Sequence, residues 1–229
     1  ALLRINVMSM KIKNTMQHKY LLNELGRLSV IIMSIDISVY AFIVYATNFN
    51  DTSVLQEMEE TYQQHPVGIY THIFASMVAL ALGPFQLSTY LRNRYIHLHR
   101  WVGKTYLFIG VLPGGISGIY MAQLAYGGIV SSFGFSLLSI AWLFTGFMAF
   151  QSIRKKDIDS HRIWMLRYFS LTFAAVTIRI YIGFFFAAGL SFEDFYPLLT
   201  WLCWVPNILF VEWVLNKHNK PLQRTVIRR

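Results

Sequence analysis

Cysteine is almost absent from the chain. Cys203 stands alone in the last apolar stretch, so an intrachain disulfide is excluded and no CxxC metal or redox motif exists. Acidic residues are few, eleven against twenty Lys and Arg. The stretches that hold Asp51, Glu57, Glu59, Glu60, Glu193 and Asp194 contain no Lys or Arg at all. The lead before the first apolar segment is too polar for a secretory h-region, which leaves that first segment as its own expected insertion signal. Long polar runs are missing too, so no sizeable soluble domain is expected.

What fills the 229 residues is hydrophobic sequence, 55% of the chain. A spanning helix needs about 20 apolar residues, because a ~30 Å hydrocarbon core is crossed at ~1.5 Å per residue. Six segments qualify, at about Leu28 to Thr47, Val67 to Leu91, Thr105 to Tyr126, Ile129 to Ile153, Ile163 to Ala188 and Pro197 to Asn216. The runs are continuous rather than alternating, which argues for helices over barrel strands. The fold class expected is an all-α polytopic membrane bundle of six transmembrane helices. It divides into a basic interfacial lead (1–26), in which Tyr20, Leu21, Leu22 and Leu25 form one apolar face, a membrane domain (27–216) and a basic tail (217–229). All Lys and Arg except Arg179 fall in the tails, in two short loops or at span ends that share one side, at the N-terminus, Arg92 to Lys104, Arg154 to Arg167 and the C-terminus. That alternation is the positive-inside pattern and predicts both termini on the cytoplasmic side of a bacterial-type inner membrane. It also explains the net charge of +9 through anionic headgroups, so nucleic acid is not an expected partner.

The two basic loops align without gaps. Leu91 to Arg100 superposes on Ile153 to Arg162 at a constant offset of 62 (161 − 99), and the same offset places Tyr106 on Tyr168. Both copies run in the same sense, so a parallel internal repeat of spans 2–3 and 4–5 is expected.

An ionisable group in hydrocarbon is costly and invites a functional reading with a named partner. Asp36, His72, Arg179 and Glu212 qualify. His72 and Arg179 share a depth of roughly 9–14 Å below the outer surface at ~1.5 Å per residue, so a common site is open to them. Glu212 and Arg167 both lie about one turn from the inner surface and read as a structural ion pair. Asp36 lies nearer mid-membrane and would pair with Arg179 if spans 1 and 5 are neighbours.

A neutral imidazole is a common metal ligand and a good axial ligand for haem iron, so His72 is a candidate, with Gln86 four turns on along the same face. The other reading is a buried His bonded to a Tyr or a carbonyl, and the sequence leaves both open. His65 is ~10.5 Å from His72 along the axis and cannot share one ion with it. On the inner side His99 and His161 occupy equivalent repeat positions. Packed about a pseudo-axis, they would suit a bis-histidine haem, or a metal site completed by His97 or Asp157. A headgroup contact is the plain alternative and the preferred one for His97. Gly110, Gly114 and Gly118, with Pro113, form a smooth stripe that favours close helix packing and a kink, and is also compatible with a flat ligand. The tryptophans Trp101, Trp164, Trp201, Trp204 and Trp213 read as interfacial belt residues.

The run His72, Gly83-Pro84-Phe85-Gln86, His99-Arg100-Trp101-Val102-Gly103-Lys104-Thr105-Tyr106, His161-Arg162-Ile163-Trp164-Met165-Leu166-Arg167 and Arg179 resembles a family of predicted bacterial multi-pass membrane proteins of unknown function. The resemblance covers about residues 65 to 215 and leaves out the basic lead. It implies a bacterial-type inner membrane protein, supplies no activity, and falls on the His, Gln and Arg residues already singled out. Three functions remain, in order. The first is a redox protein that binds a b-type haem through His72, His99 or His161, with Arg179 neutralising a propionate or a quinone carbonyl. The second is a non-catalytic subunit or assembly factor of a membrane complex. The third is a small-solute or proton-coupled transporter using Asp36, His72 and Arg179; a Gly/Pro-interrupted helix should then appear in both copies of the repeat, and only span 3 has one, since span 5 has no proline. An intramembrane hydrolase comes last, since no nucleophile or multi-ligand zinc site is evident.

Overall fold

The structure, a computed structural model, describes residues 24–45 and 56–226, and among these the regular structure is helical throughout. Six helices are long and apolar enough to cross a membrane. The first is α1 (Glu24–Tyr45). A short helix α2 (Gln56–Gln64) precedes α3 (Pro66–Gln86), the second span, which starts on a proline at the position where the missing N–H costs nothing. After the small helix α4 (Thr89–Arg94) comes the third span, built from α5 (Ile96–Thr105), a π-helical stretch (Tyr106–Val111) and α6 (Leu112–Ala122). The fourth is α7 (Gly128–Arg154) and the fifth joins α8 (Ile158–Thr172) to α9 (Ala174–Ala187). The sixth joins α10 (Phe192–Leu202) to α11 (Val205–Val226). The interfacial face expected of Tyr20, Leu21 and Leu22 lies outside the described residues, as does Asp51.

Two boundaries differ from the sequence expectation. Span 2 stops at Gln86 rather than near Leu91, where Pro84 withholds one backbone donor and Ser88 caps α4 by accepting from the Leu91 amide at 3.2 Å. Span 3 begins at Ile96 rather than Thr105, so the basic motif is the first turns of a helix and not a loop. Charge marks where a helix leaves hydrocarbon, and the backbone ladder runs on beyond that point because breaking it exposes further polar groups.

The centre is formed by α3, span 3, α7 and α8, with α10 on α7 and α11 on α8. The glycine stripe supplies the close approach. A Cβ on Gly110 would lie 2.9 Å from that of Ala79, and one on Gly114 within 3.4 Å of Trp142 and Ala75. The face is therefore taken by α3 and α7. Tyr106, Trp142, Met165, Tyr168 and Leu171 form the buried core. Within it the Thr172 hydroxyl donates to the Tyr168 carbonyl at 3.1 Å and accepts from Tyr106 Oη at 2.7 Å and Trp142 Nε1 at 2.9 Å. Cys203 is 1% exposed, and sits between α10 and α11.

Both central spans that start at the basic end, spans 3 and 5, are irregular near their middle. In span 3 the π stretch ends just before Pro113, which offers no N–H to the Ile109 carbonyl and crowds it. In span 5 the helix breaks at Phe173, where Ser170, Thr172 and Thr177 bond their hydroxyls to carbonyls three or four residues back and compete with the ladder.

Candidate functional site

The expected binding residues divide into two sets. His99, His161 and Gln86 gather at the basic end of the bundle. His99 and His161 stand at the same turn of α5 and α8, their amides bonded to the Tyr95 and Asp157 carbonyls. The two imidazoles are electrostatic neighbours. The His161 ring donates from Nδ1 to the Ala149 carbonyl at 2.9 Å, which leaves Nε2 with a free lone pair. His99 Nδ1 is buried with no hydrogen-bond partner among the described residues. Gln86 donates to the His99 carbonyl at 3.3 Å, and a Cβ on Gly103 would come within 2.8 Å of Gln86 Oε1. Gly103 is thus small so that Gln86 can brace the turn that carries His99. His97 is exposed and Trp101 is 72% exposed, as expected of headgroup contacts.

His72 and Arg179 lie in the other half, His72 about 21 Å along the axis from Gln86 and Arg179 about 27 Å from His161 at ~1.5 Å per residue. His72 donates from Nδ1 to the Gly114 carbonyl at 2.9 Å, and its ring packs on Gly118 beside Ser139. Arg179 donates to the Ala175 carbonyl at 2.7 Å, and among the described residues no carboxylate lies within 4 Å of it. Its electrostatic neighbours are Tyr45, Tyr40 and Tyr62, and it acts in turn on His72. At the same end a groove of about 610 Å³ opens between α3 and α6, with His65 Nδ1 and the Tyr120 hydroxyl 2.8 Å apart at its mouth.

Arg167 and Glu212 form a bidentate ion pair, Nη2 to Oε2 at 3.0 Å, with the guanidinium 4.6 Å from the Trp164 ring. Asp36 makes no ion pair among the described residues and is exposed on the outer surface of α1. A bare charge at such a place costs about 2.5–3.5 kcal/mol on insertion scales.

The sequence reading weighed the ionisable residues and Gln86 and passed over Thr172 and Asn207. Thr172 is the hub of the buried network, and Asn207 holds α8, α9 and the α10–α11 junction through Ser170, Thr177 and Cys203. The available signal was their place in apolar spans, where a neutral polar side chain also needs a partner.

Residues 69–215, well over half of the chain and nearly all of the central bundle, match the family described as a predicted membrane protein, DUF2306. The chain belongs to the DUF2306 family. No curated protein and no solved structure matches it. The matched residues of this DUF2306 protein include Gln86, His72, His99, His161, Arg167, Arg179 and Glu212, while α1 and Asp36 lie outside them. As an integral membrane protein it meets the lipid bilayer along its spans; the exposed Phe133, Phe144, Phe147 and Phe184 suit that contact.

Proposed function

We propose that this DUF2306 protein holds one b-type haem between His99 and His161 and takes part in membrane electron transfer, exchanging electrons with a quinone or a further membrane subunit. The observation that carries the reading is the pair itself. Two imidazoles at matching turns act electrostatically on each other, one oriented by a backbone carbonyl and the other with a buried nitrogen that has no hydrogen-bond partner among the described residues. Among the described residues no group of three or more His, Cys, Asp or Glu is placed to hold a metal ion. A bare zinc ion asks the protein for three or four ligands, whereas haem iron asks for two, since the porphyrin supplies the rest. When bound, haem supplies a one-electron couple. The chain's part is to fix the His161 tautomer through Ala149, to brace His99 through Gln86, and to exclude water with the core behind them. Arg179 and His72 lie too far along the axis to serve this site.

The same reading treats spans 2–3 and 4–5 as two copies about a pseudo-axis. It is supported by Ile96 and Ile158 opening equivalent helices, by Gly127 and Gly189 at equivalent positions with φ of 86° and 76°, and by the Tyr106 and Tyr168 rings meeting at 4.8 Å. The basic end is assigned to the cytoplasmic face of a bacterial inner membrane from the charge asymmetry.

A transporter is favoured by one specific observation. The interruption expected of both copies is found in both, at the π stretch ending at Val111 and at Phe173, which the offset of 62 equates (173 − 111). Arg179 would then meet an anionic solute.

A reduced-minus-oxidised spectrum of the protein purified in mild detergent, with haem supplied during expression, separates the two. A b-type α band is expected, lost in His99→Ala and in His161→Ala and kept in His72→Ala. A flat wild-type spectrum, or haem content unchanged in both inner-pair variants, removes the haem reading and leaves transport.

A further inference from the structure

We propose that the outward face of α1 docks, within the membrane, a helix of another protein that carries Lys or Arg at matching depth, with Asp36 as the anchor. The rotation of α1 is fixed from the other side. Ser34, Ser38 and Ala41 are buried at 0, 6 and 6% exposure, and the Ser38 hydroxyl reaches the Met77 carbonyl of α3 at 3.4 Å. Such a stripe of small residues lets two backbones approach closely. Asp36 stands two residues from both serines, about 200° round the helix at ~100° per residue. Turning α1 to bury Asp36 would withdraw the serines from α3, so its outward aim is built in.

Depth excludes a solvent contact. Asp36 is nine residues from the Tyr45 end of α1, about 13 Å at ~1.5 Å per residue, and the other end is farther. Its neighbours on the outward face, Ile32, Val39 and Ile43, are 56, 50 and 53% exposed. An acid at the centre of an apolar stripe is unlike the usual intramembrane carboxylate, which faces the bundle interior and a partner. The attachment of α1 leaves room for another helix: 17% of its most apolar stretch is buried, as in span 6, against 44% for span 3. It also lies outside the residues that match the family, so the surface belongs to this chain and not to the shared core.

Charge decides the occupant. A second copy would bring a like carboxylate to the same spot, which opposes pairing. The chain's own intramembrane cations are engaged elsewhere, Arg167 with Glu212 and Arg179 with the Ala175 carbonyl, and among the described residues neither lies within 4 Å of the Asp36 carboxylate. A helix of a different protein with one cation meets the requirement. The inference is independent of haem binding.

The test uses the full chain in lipid nanodiscs with a fluorophore on an introduced Leu25→Cys. The probe is a synthetic Leu/Ala transmembrane peptide with one central Arg, compared with the same peptide bearing Leu there and with one whose Arg is moved two turns. Energy transfer is expected to report at least tenfold tighter binding of the central-Arg peptide, and Asp36→Asn and Asp36→Leu should both abolish the preference while leaving thermal unfolding unchanged. No preference, or a preference that survives both variants, overturns the proposal. Light scattering that finds two copies of the wild type and one of Asp36→Asn overturns it in favour of self-association.

Discussion

Arg167 and Arg179 stand on the same span, a few turns apart, and are treated in opposite ways. Arg167 gives two donors to one carboxylate and its flat face to an indole. Arg179 gives one donor to a carbonyl of its own helix, has tyrosines and an imidazole as electrostatic neighbours, and among the described residues meets no acid within 4 Å. A guanidinium has five donors and never loses its charge in a protein. When they are matched by a fixed partner, the residue holds helices together; when they are not, its cost is sustained for some other purpose. Location in a membrane therefore does not distinguish a structural charge from a functional one, and the count of engaged donors does.

That contrast can be broken most directly at the pair. Glu212→Gln leaves Arg167 without a counter-charge in a partly buried place and is expected to cost about 2 kcal/mol, less than for a fully buried pair because the side chains are 24% and 37% exposed. Unfolding by SDS in mixed micelles measures it, and the double variant with Arg167→Gln should recover part of the loss. Equal stability of wild type and Glu212→Gln would deny the pair a structural role.

Arg179→Gln should behave otherwise. With no acid to orphan among the described residues and a desolvated charge removed, stability is expected to stay level or rise by about 1 kcal/mol. A fall as large as that of Glu212→Gln would show Arg179 to be structural after all.

The smallest effect lies where the span begins. Asp157 caps α8 by accepting from the Ser160 amide at 3.0 Å, and its bonds to Ser160 hold its carboxyl below the usual range. A lowered folded-state value means the contribution is present above the unfolded value and lost as pH falls through the folded one. Asp157→Ala should melt slightly earlier than wild type at neutral pH, Asp157→Asn should not, and the Ala gap should close below about pH 4. A gap that persists in acid would mean the carboxylate is not its source.

The six spans were legible because apolar length is a strong signal and the described helices follow it. Their ends were less so, since Ile96 to Lys104 reads as a polar loop while its backbone stays helical. The disturbance near Pro113 was visible in the sequence as a kink and takes the form of a π stretch. The break at Phe173 was not, because it arises from hydroxyls that bond locally and has no proline to announce it. Of the candidate site, residue types and depths were readable, and partners were not. Whether His72 met a ligand or a carbonyl depended on how far α3 turns toward Gly114, and the outward aim of Asp36 on which face of α1 the serines occupy.

Sealing of Cys203 has a practical result. With 1% of its surface accessible between α10 and α11, the native sulfur is screened from water-soluble maleimides and spin labels in the folded protein. A cysteine placed at either end of any span can then be labelled in the otherwise natural sequence, and the distances between such labels would chart how the spans move without first replacing Cys203.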